Sequence, residues 1–358
     1  MTQLRLTTNP GIEDIVEQEL RDRATAVSCC LTQIKRKPFN LEGQILVESV
    51  DEKELLSQIA LKARSVFHVM RQIYHFSVPK KADFLETIKQ ELLELDIPEM
   101  EGAKKFRVTT QRNGRHLFNS IDVQKIAGAA LIERYQKAVS LEQYDVNVRV
   151  DVFDRLCLVS VQLTKASLDR RHHLVWRPRI SLKTTMAYAM LRLGGLEEKT
   201  RLLDPFCGSA TLLLEAATMF PHLELYGSDR REEAVRGAQT NIDTAKISHR
   251  VSLKEVDARD LDIMYPHQHF DAIVTNPPFG MHLGAEINFY QLYLKFLRGA
   301  GKILAPGGRL VILVGKGRGL FKRLVFKSGL FQIREERLVE TGGIYPHLFI
   351  CDRVDEIR

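Results

Sequence analysis

The sequence is poor in the features that mark secreted, zinc-binding or membrane proteins. Its five cysteines include no Cys-x-x-Cys pair, so their spacing predicts neither a disulfide framework nor a zinc site. No stretch of about 18 apolar residues is present, which argues against a membrane-spanning helix, and the first twenty residues lack the apolar segment of a secretory signal. We therefore expect a reduced, cytoplasmic protein with no metal and no membrane attachment.

Charge is unevenly distributed along the 358 residues, a length that predicts two or three domains. The formal net charge is +7, yet residues 104–180 alone carry 15 Lys and Arg against 7 Asp and Glu, a net charge of +8. A basic middle between near-neutral flanks favours a polyanionic partner, most simply nucleic acid. A solvated charged face is the alternative that charge alone leaves open.

Two α/β patterns divide the chain. Residues 1–70 alternate strand and helix patterns, typical of a small split β-α-β unit, and residues 71–167 add a second unit that ends in a hairpin. Residues 168–180 have no clean periodicity and are rich in Arg and His, so we interpret them as a linker. In residues 181–358 apolar strands alternate regularly with helices, which predicts a mostly parallel sheet covered on both faces.

Four successive strands of this second pattern end in residues that suit a ligand, and ligands of such sheets bind at the carboxyl ends of strands. The first ends at Asp204, before a tight turn at residues 207–209 and a helix whose free N–H groups suit a carboxylate. The next two end at Asp229 and Asp257, which could accept hydrogen bonds from a ribose diol and an adenine amino group. The fourth ends in the stretch NPPF at residues 276–279.

Each of these features alone has a structural alternative. Asp229 could merely cap the next helix, Asp257 could form a turn, Gly208 could serve only the backbone, and NPPF could be a proline stop. The turn is neither GxGxxG nor a Walker A loop, which disfavours a dinucleotide or a nucleoside triphosphate. The order of the motifs, at intervals of roughly 20 to 30 residues, nevertheless favours one ligand site.

The motifs DPFCGSAT, SD, DA and NPPF resemble those of S-adenosylmethionine-dependent methyltransferases that act on exocyclic amines. Upstream, FRVTTQRNGRH and LVSVQLTKASLDRR look like a THUMP domain, an RNA-binding module, and NPGIEDIVEQEL resembles the ferredoxin-like segment that precedes it. Nearly the whole chain is similar to the THUMP-containing RNA guanine-N2 methyltransferases of the TrmN type. The resemblance implies a ferredoxin-like domain (1–70), a THUMP domain (71–167), the linker (168–180) and a Rossmann-like class I methyltransferase domain (181–358) with a mostly parallel, seven-stranded sheet.

The resemblance also implies S-adenosyl-L-methionine as the cofactor and a role for individual residues. Those that would border the cofactor are Asp204, Pro205, Phe206, Cys207, Gly208, Ser209, Asp229, Arg230, Asp257, Ala258 and Asn276. The implied catalytic group is Asn276, Pro277, Pro278 and Phe279. Three positions depart from the family pattern: Ala210 replaces the usual Gly, Thr184 the usual Pro and Phe279 the commoner Tyr. A methyl group at Ala210 is tolerable if that residue is already helical, but it could crowd the cofactor carboxylate.

The NPPF stretch suits the methylation of an exocyclic amine, whose lone pair is delocalised into the base. If the Asn276 side-chain oxygen and the Pro277 carbonyl each accept one N–H, the lone pair can turn toward the methyl group. The prolines hold both acceptors in place, and Phe279 can stack on an extruded base. Asp204 is a second candidate for receiving the proton, whereas Cys207, in the cofactor turn, is a poor candidate for a nucleophile.

The basic residues that we predict to contact RNA are Arg112, Arg115, His116, Lys125, Arg170, Arg171, Arg177 and Arg179. Phosphate contacts position an RNA, and folded RNA is recognised largely by its shape. For any single Arg of this set, a solvated surface role stays open. A second basic stretch, residues 315–327, could touch the substrate near the catalytic pocket or be only a charged helix face.

The resemblance implies a monomeric tRNA guanine-N2 methyltransferase that forms N2-methylguanosine in the acceptor stem, at a position of the type of nucleotide 6. Ribosomal RNA or another tRNA guanosine stays open as the substrate. NPPF-type motifs also serve adenine-N6 and glutamine-N5 methylation, so the motif alone does not choose the acceptor. A catalytically silent RNA-binding protein is the remaining alternative, suggested by Ala210. The sequence determines neither which guanosine is modified nor whether one or two methyl groups are added.

Overall fold

The computed structural model describes residues 2–51, 53–266, 269–280 and 287–354, and its strands form two separate sheets. The first half of the chain builds one sheet and the second half builds the other, with helices packed against both. Within the described ranges, none of the helices has the length and apolar character needed to span a bilayer.

The first sheet has nine strands and extends over both predicted N-terminal units. In chain order its elements are β1 (Thr2–Thr7), α1 (Glu13–Ala26), β2 (Leu31–Arg36), β3 (Gln44–Ser49), α2 (Lys53–Leu61), β4 (His68–Ser77), α3 (Phe84–Glu94), β5 (Lys105–Thr109), β6 (Arg112–Asn113), α4 (Ser120–Tyr135), β7 (Ala138–Val139), β8 (Val146–Phe153) and β9 (Leu156–Gln162). The strand order is β2-β3-β1-β4-β9-β8-β5-β7, and the short β6 pairs with β8. Because β4 pairs with both β1 and β9, it crosses the predicted boundary at residue 70 and joins the two units into one sheet.

The first six elements follow the order β-α-β-β-α-β, which is that of a ferredoxin-like unit. The sequence pattern missed one of them, β2, where two of every three side chains are exposed. Such an edge strand pairs on one side only, with β3, and therefore lacks the apolar alternation by which strands are recognised. The division of the N-terminal half into two domains stays a prediction.

The second sheet has seven strands, and the expectation of a mostly parallel sheet is confirmed. Its elements are α5 (Thr184–Gly194), β10 (Arg201–Asp204), α6 (Thr211–Met219), β11 (Glu224–Asp229), α7 (Glu232–Thr244), β12 (Val251–Glu255), α8 (Leu261–Met264), β13 (Phe270–Thr275), α9 (Phe289–Ile303), β14 (Leu304–Val314), α10 (Arg318–Ser328), β15 (Phe331–Leu338) and β16 (His347–Arg353). The order is β12-β11-β10-β13-β14-β16-β15; the first five strands are parallel, and β16 runs antiparallel to both of its neighbours.

Apolar cores cover both faces of the second sheet, as its sequence pattern predicts. Adjacent residues of β10 face opposite ways, because successive side chains of a strand alternate. Leu202 belongs to the core with α5, α6 and α7, whereas Leu203 belongs to the core with α8, α9 and α10. Local signals set several helix ends: Asn119 and Asp122 form a reciprocal capping box at α4, and Gly195 ends α5 with a φ of +60°.

The segment that joins the halves is irregular but closely held. Residues 163–183, all of which the structure describes, contain neither helix nor strand. The halves also contact each other directly. The Asn9 side chain accepts from the Thr185 hydroxyl at 2.7 Å and donates to the Glu340 carbonyl at 2.9 Å. The N-terminal half is therefore docked on the second domain by the hydrogen bonds of Asn9, in the unit 1–70, as well as by the linker.

Candidate active site

The carboxyl ends of β10, β11, β12 and β13 lie side by side and bring the predicted site residues to one edge. Parallel pairing aligns Asp204 with Gly227 and Asp229 with Glu255. Asp204 and Asp229 end β10 and β11, and Asp257 and Asn276 closely follow β12 and β13. Four motifs spread over more than seventy residues of sequence are thus brought to one edge of the sheet. We call this region the catalytic edge.

The turn after β10 is held by backbone contacts that leave its ligand side open. The N–H of Cys207 donates to the Ser228 carbonyl at 2.9 Å, and the N–H of Gly208 donates to Asp229 Oδ2 at 3.3 Å. Gly208 has a φ of +50°, and a Cβ built there would meet only the Phe206 carbonyl, at 4.0 Å. A ligand can therefore approach the backbone closely at this position.

Ala210 does not have the conformation that would make its methyl group easy to accommodate. It precedes α6 with a φ of +64° and a ψ of 22°, which is left-handed rather than helical. The condition on which we expected the methyl to be tolerable is therefore not met. L-residues occupy this region at a cost of about 1 kcal/mol, while glycine does so freely. Ala210 is fully buried, and its N–H donates to the Cys207 carbonyl at 2.7 Å.

Asp204 is buried at the centre of the catalytic edge. The Thr275 hydroxyl donates to its Oδ1 at 2.6 Å, and the Phe206 N–H donates to the same oxygen at 3.2 Å. Burial raises the pKa of Asp204 to about 7; the hydrogen bonds from Thr275 and Phe206 oppose this rise, and the negative charge of Asp229 contributes to it. The carboxyl group can therefore gain or lose a proton near neutral pH. Thr275, immediately before Asn276, is a site residue that sequence reasoning missed.

The two acids on the cofactor side differ in their surroundings. Asp229 is buried, and its Oδ1 accepts from the Arg231 N–H at 3.1 Å. Asp257 is half-buried and forms a bidentate pair with Arg259, at 2.9 Å from Nε and 2.6 Å from Nη2. These hydrogen bonds hold the pKa of Asp257 below its usual value, although partial burial opposes them. Of their predicted neighbours, Arg230 is exposed and Ala258 is buried.

Asn276 presents an acceptor that its own protein leaves unused. Its side-chain Oδ1 is buried and has no hydrogen-bond partner among the described residues. Pro277 is buried, whereas Pro278 and Phe279 are half-buried. An orphaned buried oxygen is costly unless a ligand supplies an N–H, and an exocyclic amine supplies that donor.

Two glycines leave the space that the side chains of Phe279 and Phe289 occupy, and sequence reasoning missed both. A Cβ on Gly315, at the end of β14, would lie 2.6 Å from the Cβ of Phe279. A Cβ on Gly280 would lie 2.5 Å from the ring of Phe289. The NPPF turn is thus packed against the start of the basic stretch 315–327, of which Lys316 is exposed. Only the pairing of β13 with β14 reveals this contact.

The linker also borders the cofactor turn, through residues that carry no sequence signal of their own. Asn241 is fully buried on α7; its Oδ1 accepts from the Trp176 N–H at 2.9 Å and its Nδ2 donates to the Ser209 carbonyl at 3.1 Å. The Ser181 and Ser209 hydroxyls are 3.2 Å apart. A Cβ on Gly237 would lie within 2.1 Å of the Trp176 indole, so this glycine admits the linker.

Cys207 is not suited to be a nucleophile. It is almost fully buried, and burial raises the pKa of its thiol well above the ordinary value, so the thiol stays protonated at neutral pH. Among the described residues no group of three or more His, Cys, Asp or Glu side chains is placed to hold a metal ion.

The residues predicted to contact RNA fall into two groups. Arg115, Lys125, Arg170, Arg177 and Arg179 are exposed. Arg112, His116 and Arg171 are instead engaged within the protein. Arg112 donates to Nδ1 of His116 at 2.9 Å, and His116 Nε2 donates to the Asp154 carbonyl at 2.6 Å.

Arg171 is the clearest correction to the predicted RNA-contacting set. It donates from Nε to the Thr184 hydroxyl at 3.0 Å, from Nη2 to the Arg64 carbonyl, and forms an ion pair with Glu215 at 3.6 Å. Its side chain is largely buried. The linker therefore contains both exposed arginines and an arginine that is buried in an ion pair, and composition does not distinguish the two.

Known proteins resemble this chain over both halves. Residues 175–346 match the family model described as UPF0020, RMKL-like, methyltransferase domain, and residues 82–162 match the THUMP domain. The tRNA (guanine(6)-N2)-methyltransferase of Thermus thermophilus is 34% identical over 98% of this chain and 99% of its own length. The enzyme of the same name from Methanocaldococcus jannaschii is 26% identical over 96% and 98%. The crystal structure of TrmN from Thermus thermophilus covers 99% of this chain and 100% of its own, with a TM-score of 0.80 and 32% identity.

Proposed function

Because the chain belongs to the family of tRNA guanine-N2 methyltransferases with a THUMP domain, we propose that it methylates the exocyclic N2 of one guanosine in the tRNA acceptor stem, at nucleotide 6. The methyl donor is S-adenosylmethionine. The observation that carries this proposal is the buried Asn276 oxygen without a partner among the described residues, at the edge where the cofactor turn and two acids converge. An acceptor in that place matches an incoming N–H.

The residues of the catalytic edge fit a bound S-adenosylmethionine. The open side of Gly208 admits a ligand against the backbone, the start of α6 suits its carboxylate, and Asp229 and Asp257 offer oxygens to its ribose and adenine. The cofactor supplies an activated methyl group on a positively charged sulfur, which makes a strong base unnecessary. We also assign Asp204, Cys207 and Ser209 to the part of the site that contacts the methionine moiety of S-adenosylmethionine.

The protein's own task is to orient the amine and to receive a proton. The Asn276 side-chain oxygen and the Pro277 carbonyl accept the two N–H groups and turn the nitrogen lone pair toward the methyl group; the prolines keep both acceptors preorganised. Phe279, held against Gly315, stacks on the extruded base. Asp204, with its raised pKa, can take up the released proton directly or through water.

The relatives' names support tRNA as the substrate, and the exposed basic residues Arg115, Lys125, Arg170, Arg177 and Arg179 support an RNA contact. We expect them to bind phosphates and so to set the register of the acceptor stem. Mouse U6 snRNA (guanine-N(2))-methyltransferase THUMPD2 is 26% identical over 59% of this chain and 39% of its own length, so a U6 transcript is the competing substrate to compare with tRNA.

Mass spectrometry of nucleosides provides the test. Purified protein, labelled S-adenosylmethionine and a tRNA transcript should yield N2-methylguanosine, and a transcript with adenosine at nucleotide 6 should yield none. Ribosomal RNA and a U6 transcript serve as competing substrates. Labelled N6-methyladenosine, or equal labelling of the substituted transcript, would refute the proposed base or position. Calorimetry with S-adenosylmethionine tests the silent alternative that Ala210 suggested, since a protein that does not bind the methyl donor cannot transfer its methyl group.

A further inference from the structure

A buried carboxylate on α6 connects the two halves of the protein. Glu215 has a fully buried side chain. Arg64, just after α2 in the N-terminal half, donates to both of its oxygens, at 2.7 Å from Nε and 2.9 Å from Nη2. From the linker, His172 Nε2 donates to Oε2 at 2.8 Å, and Arg171 forms an ion pair at 3.6 Å. We call these four residues the Glu215 joint.

The electrostatics of the joint favour a single arrangement of the halves. Burial alone would raise the pKa of Glu215, but the hydrogen bonds from His172 and Arg64 hold it below its usual value, so the group stays charged. A buried charge strongly destabilises the fold when one of its partners is removed. Bidentate Arg–carboxylate geometry adds directional specificity to the attraction. Movement of the N-terminal half would therefore leave Glu215 charged, buried and without Arg64.

The partners of Glu215 are themselves fixed. Glu19 on α1 accepts from the Arg64 N–H at 2.8 Å and from the Ser65 hydroxyl at 2.6 Å. The Thr184 hydroxyl, at the start of α5, accepts from Arg171 and donates to the Asp169 carbonyl at 2.8 Å. The family's usual proline could not make either contact, which gives the departure at Thr184 a structural use. The joint thus ties α1, α2, the linker, α5 and α6 together.

The joint lies close to the cofactor turn along a rigid element. Glu215 is four residues after Thr211, the first residue of α6, which places it about 6 Å along the helix. Ala210 and Ser209 of the turn directly precede that first residue. The N-terminal half is therefore anchored within about one helical turn of the residues that border the cofactor.

We propose that Glu215 is a positioning residue for RNA methylation, which holds the RNA-binding half at the distance and angle that deliver the target base to Asn276. This inference rests on the proposed RNA methyltransferase function. An RNA bound to a tilted N-terminal half keeps its phosphate contacts, but its base reaches the catalytic edge less often. The turnover number then falls, while the affinities for RNA and cofactor persist.

The test compares Glu215→Gln with Asp22→Asn. Both replace a carboxylate by an amide in a contact between the halves, but the Asp22–Arg192 pair, at 2.7 Å, is partly exposed. For Glu215→Gln we expect kcat with full-length tRNA to fall about 10- to 100-fold, with the KM for tRNA, the Kd for S-adenosylhomocysteine and the stoichiometry of its binding unchanged. For Asp22→Asn we expect wild-type values. Arg64→Gln should reproduce the fall in kcat without altering α6, and it serves as the test if Glu215→Gln does not fold.

Each outcome bears on the proposal. Wild-type kcat in folded Glu215→Gln or Arg64→Gln would overturn it, and so would a parallel loss of cofactor stoichiometry, because that is the mark of a merely structural role. Small-angle X-ray scattering of the free proteins should show altered relative placement of the halves in Glu215→Gln and not in Asp22→Asn. This scattering measurement needs no RNA. If the wild type methylated no RNA, the proposed function would be refuted, and the scattering result would still show whether Glu215 fixes the placement of the halves.

Discussion

The catalytic edge and the RNA-binding surface are built in opposite ways. At the edge, Asp204 and Asp229 are buried and hydrogen-bonded, the Asn276 Oδ1 is buried, and we propose a separate role for each of the three side chains. The RNA-binding candidates are exposed cations: Arg115 precedes α4, Lys125 lies on α4, and Arg170, Arg177 and Arg179 lie in the linker. Electrostatic attraction to a polyanion adds up over many phosphates, whereas orientation of one amine depends on a few fixed atoms. Single substitutions should therefore be severe at the edge and mild on the surface.

The largest expected effect is on methyl transfer by Asn276→Ala. Loss of a preorganised hydrogen-bonding group in an active site lowers turnover by about 10²–10³-fold, and we expect kcat to fall by that factor while S-adenosylhomocysteine still binds. Steady-state assays with tRNA and calorimetry measure both quantities. Gln58→Ala, which removes an exposed amide side chain on α2, is the control. Methyl transfer by Asn276→Ala near the wild-type rate would show that the amine is oriented by other groups.

A pH effect on stability should follow from Asp204. Its pKa is raised from 3.8 to about 7 in the folded chain, so folding takes up a proton between these values and stability falls as the pH rises through that window. About three pKa units at about 1.4 kcal/mol each give an upper limit of about 4 kcal/mol. Asp204→Asn should abolish this part of the dependence.

Urea unfolding at about pH 5 and about pH 8 measures the difference. The exposed Asp96→Asn is the matched control, and it should retain the wild-type dependence. An unaltered pH profile in Asp204→Asn would mean that the carboxyl group is already ionised at acidic pH.

A smaller effect should come from the RNA surface. Arg115→Glu combined with Arg179→Glu should weaken tRNA binding about tenfold at moderate salt and reduce the slope of affinity against salt concentration, because two cations are lost. The affinity for S-adenosylhomocysteine should not change. The matched pair Arg21→Glu and Arg36→Glu alters exposed cations of the N-terminal half outside the predicted set. Equal losses in both double variants would indicate attraction by net charge rather than a defined surface.

The smallest effect concerns the backbone of the cofactor turn. Ala210→Gly removes the strain of a left-handed alanine, and the gain should be about 1 kcal/mol, reduced by the greater freedom of glycine in the unfolded chain. Chemical denaturation measures the change. Gly102, whose φ lies outside the left-handed region and which has open space for a Cβ, offers the reverse control: Gly102→Ala should not destabilise the protein. A loss of stability in Ala210→Gly would indicate that the buried methyl packs better than its strain costs.

Much of the second sheet could be predicted because its signals are local. The acids and prolines that end the strands directly follow apolar segments of the sequence. Leu202 and Leu203 belong to different cores because successive side chains of a strand point to opposite faces. The edge strand β2 could not be predicted, because an exposed strand lacks that alternation. Gly315 and Asn241 could not be predicted either, since their roles depend on neighbours distant in the chain.

The linear order of residues was enough to identify the methyltransferase family, since its motifs consist of adjacent residues at the ends of successive strands. Three-dimensional packing alone revealed which basic residues are available to RNA. Arg170 and Arg171 are neighbours in the chain, yet one is exposed and the other is enclosed beside Glu215. The reason is physical: a cation's partner can come from any part of the chain, and only the folded arrangement brings α6, α2 and the linker together.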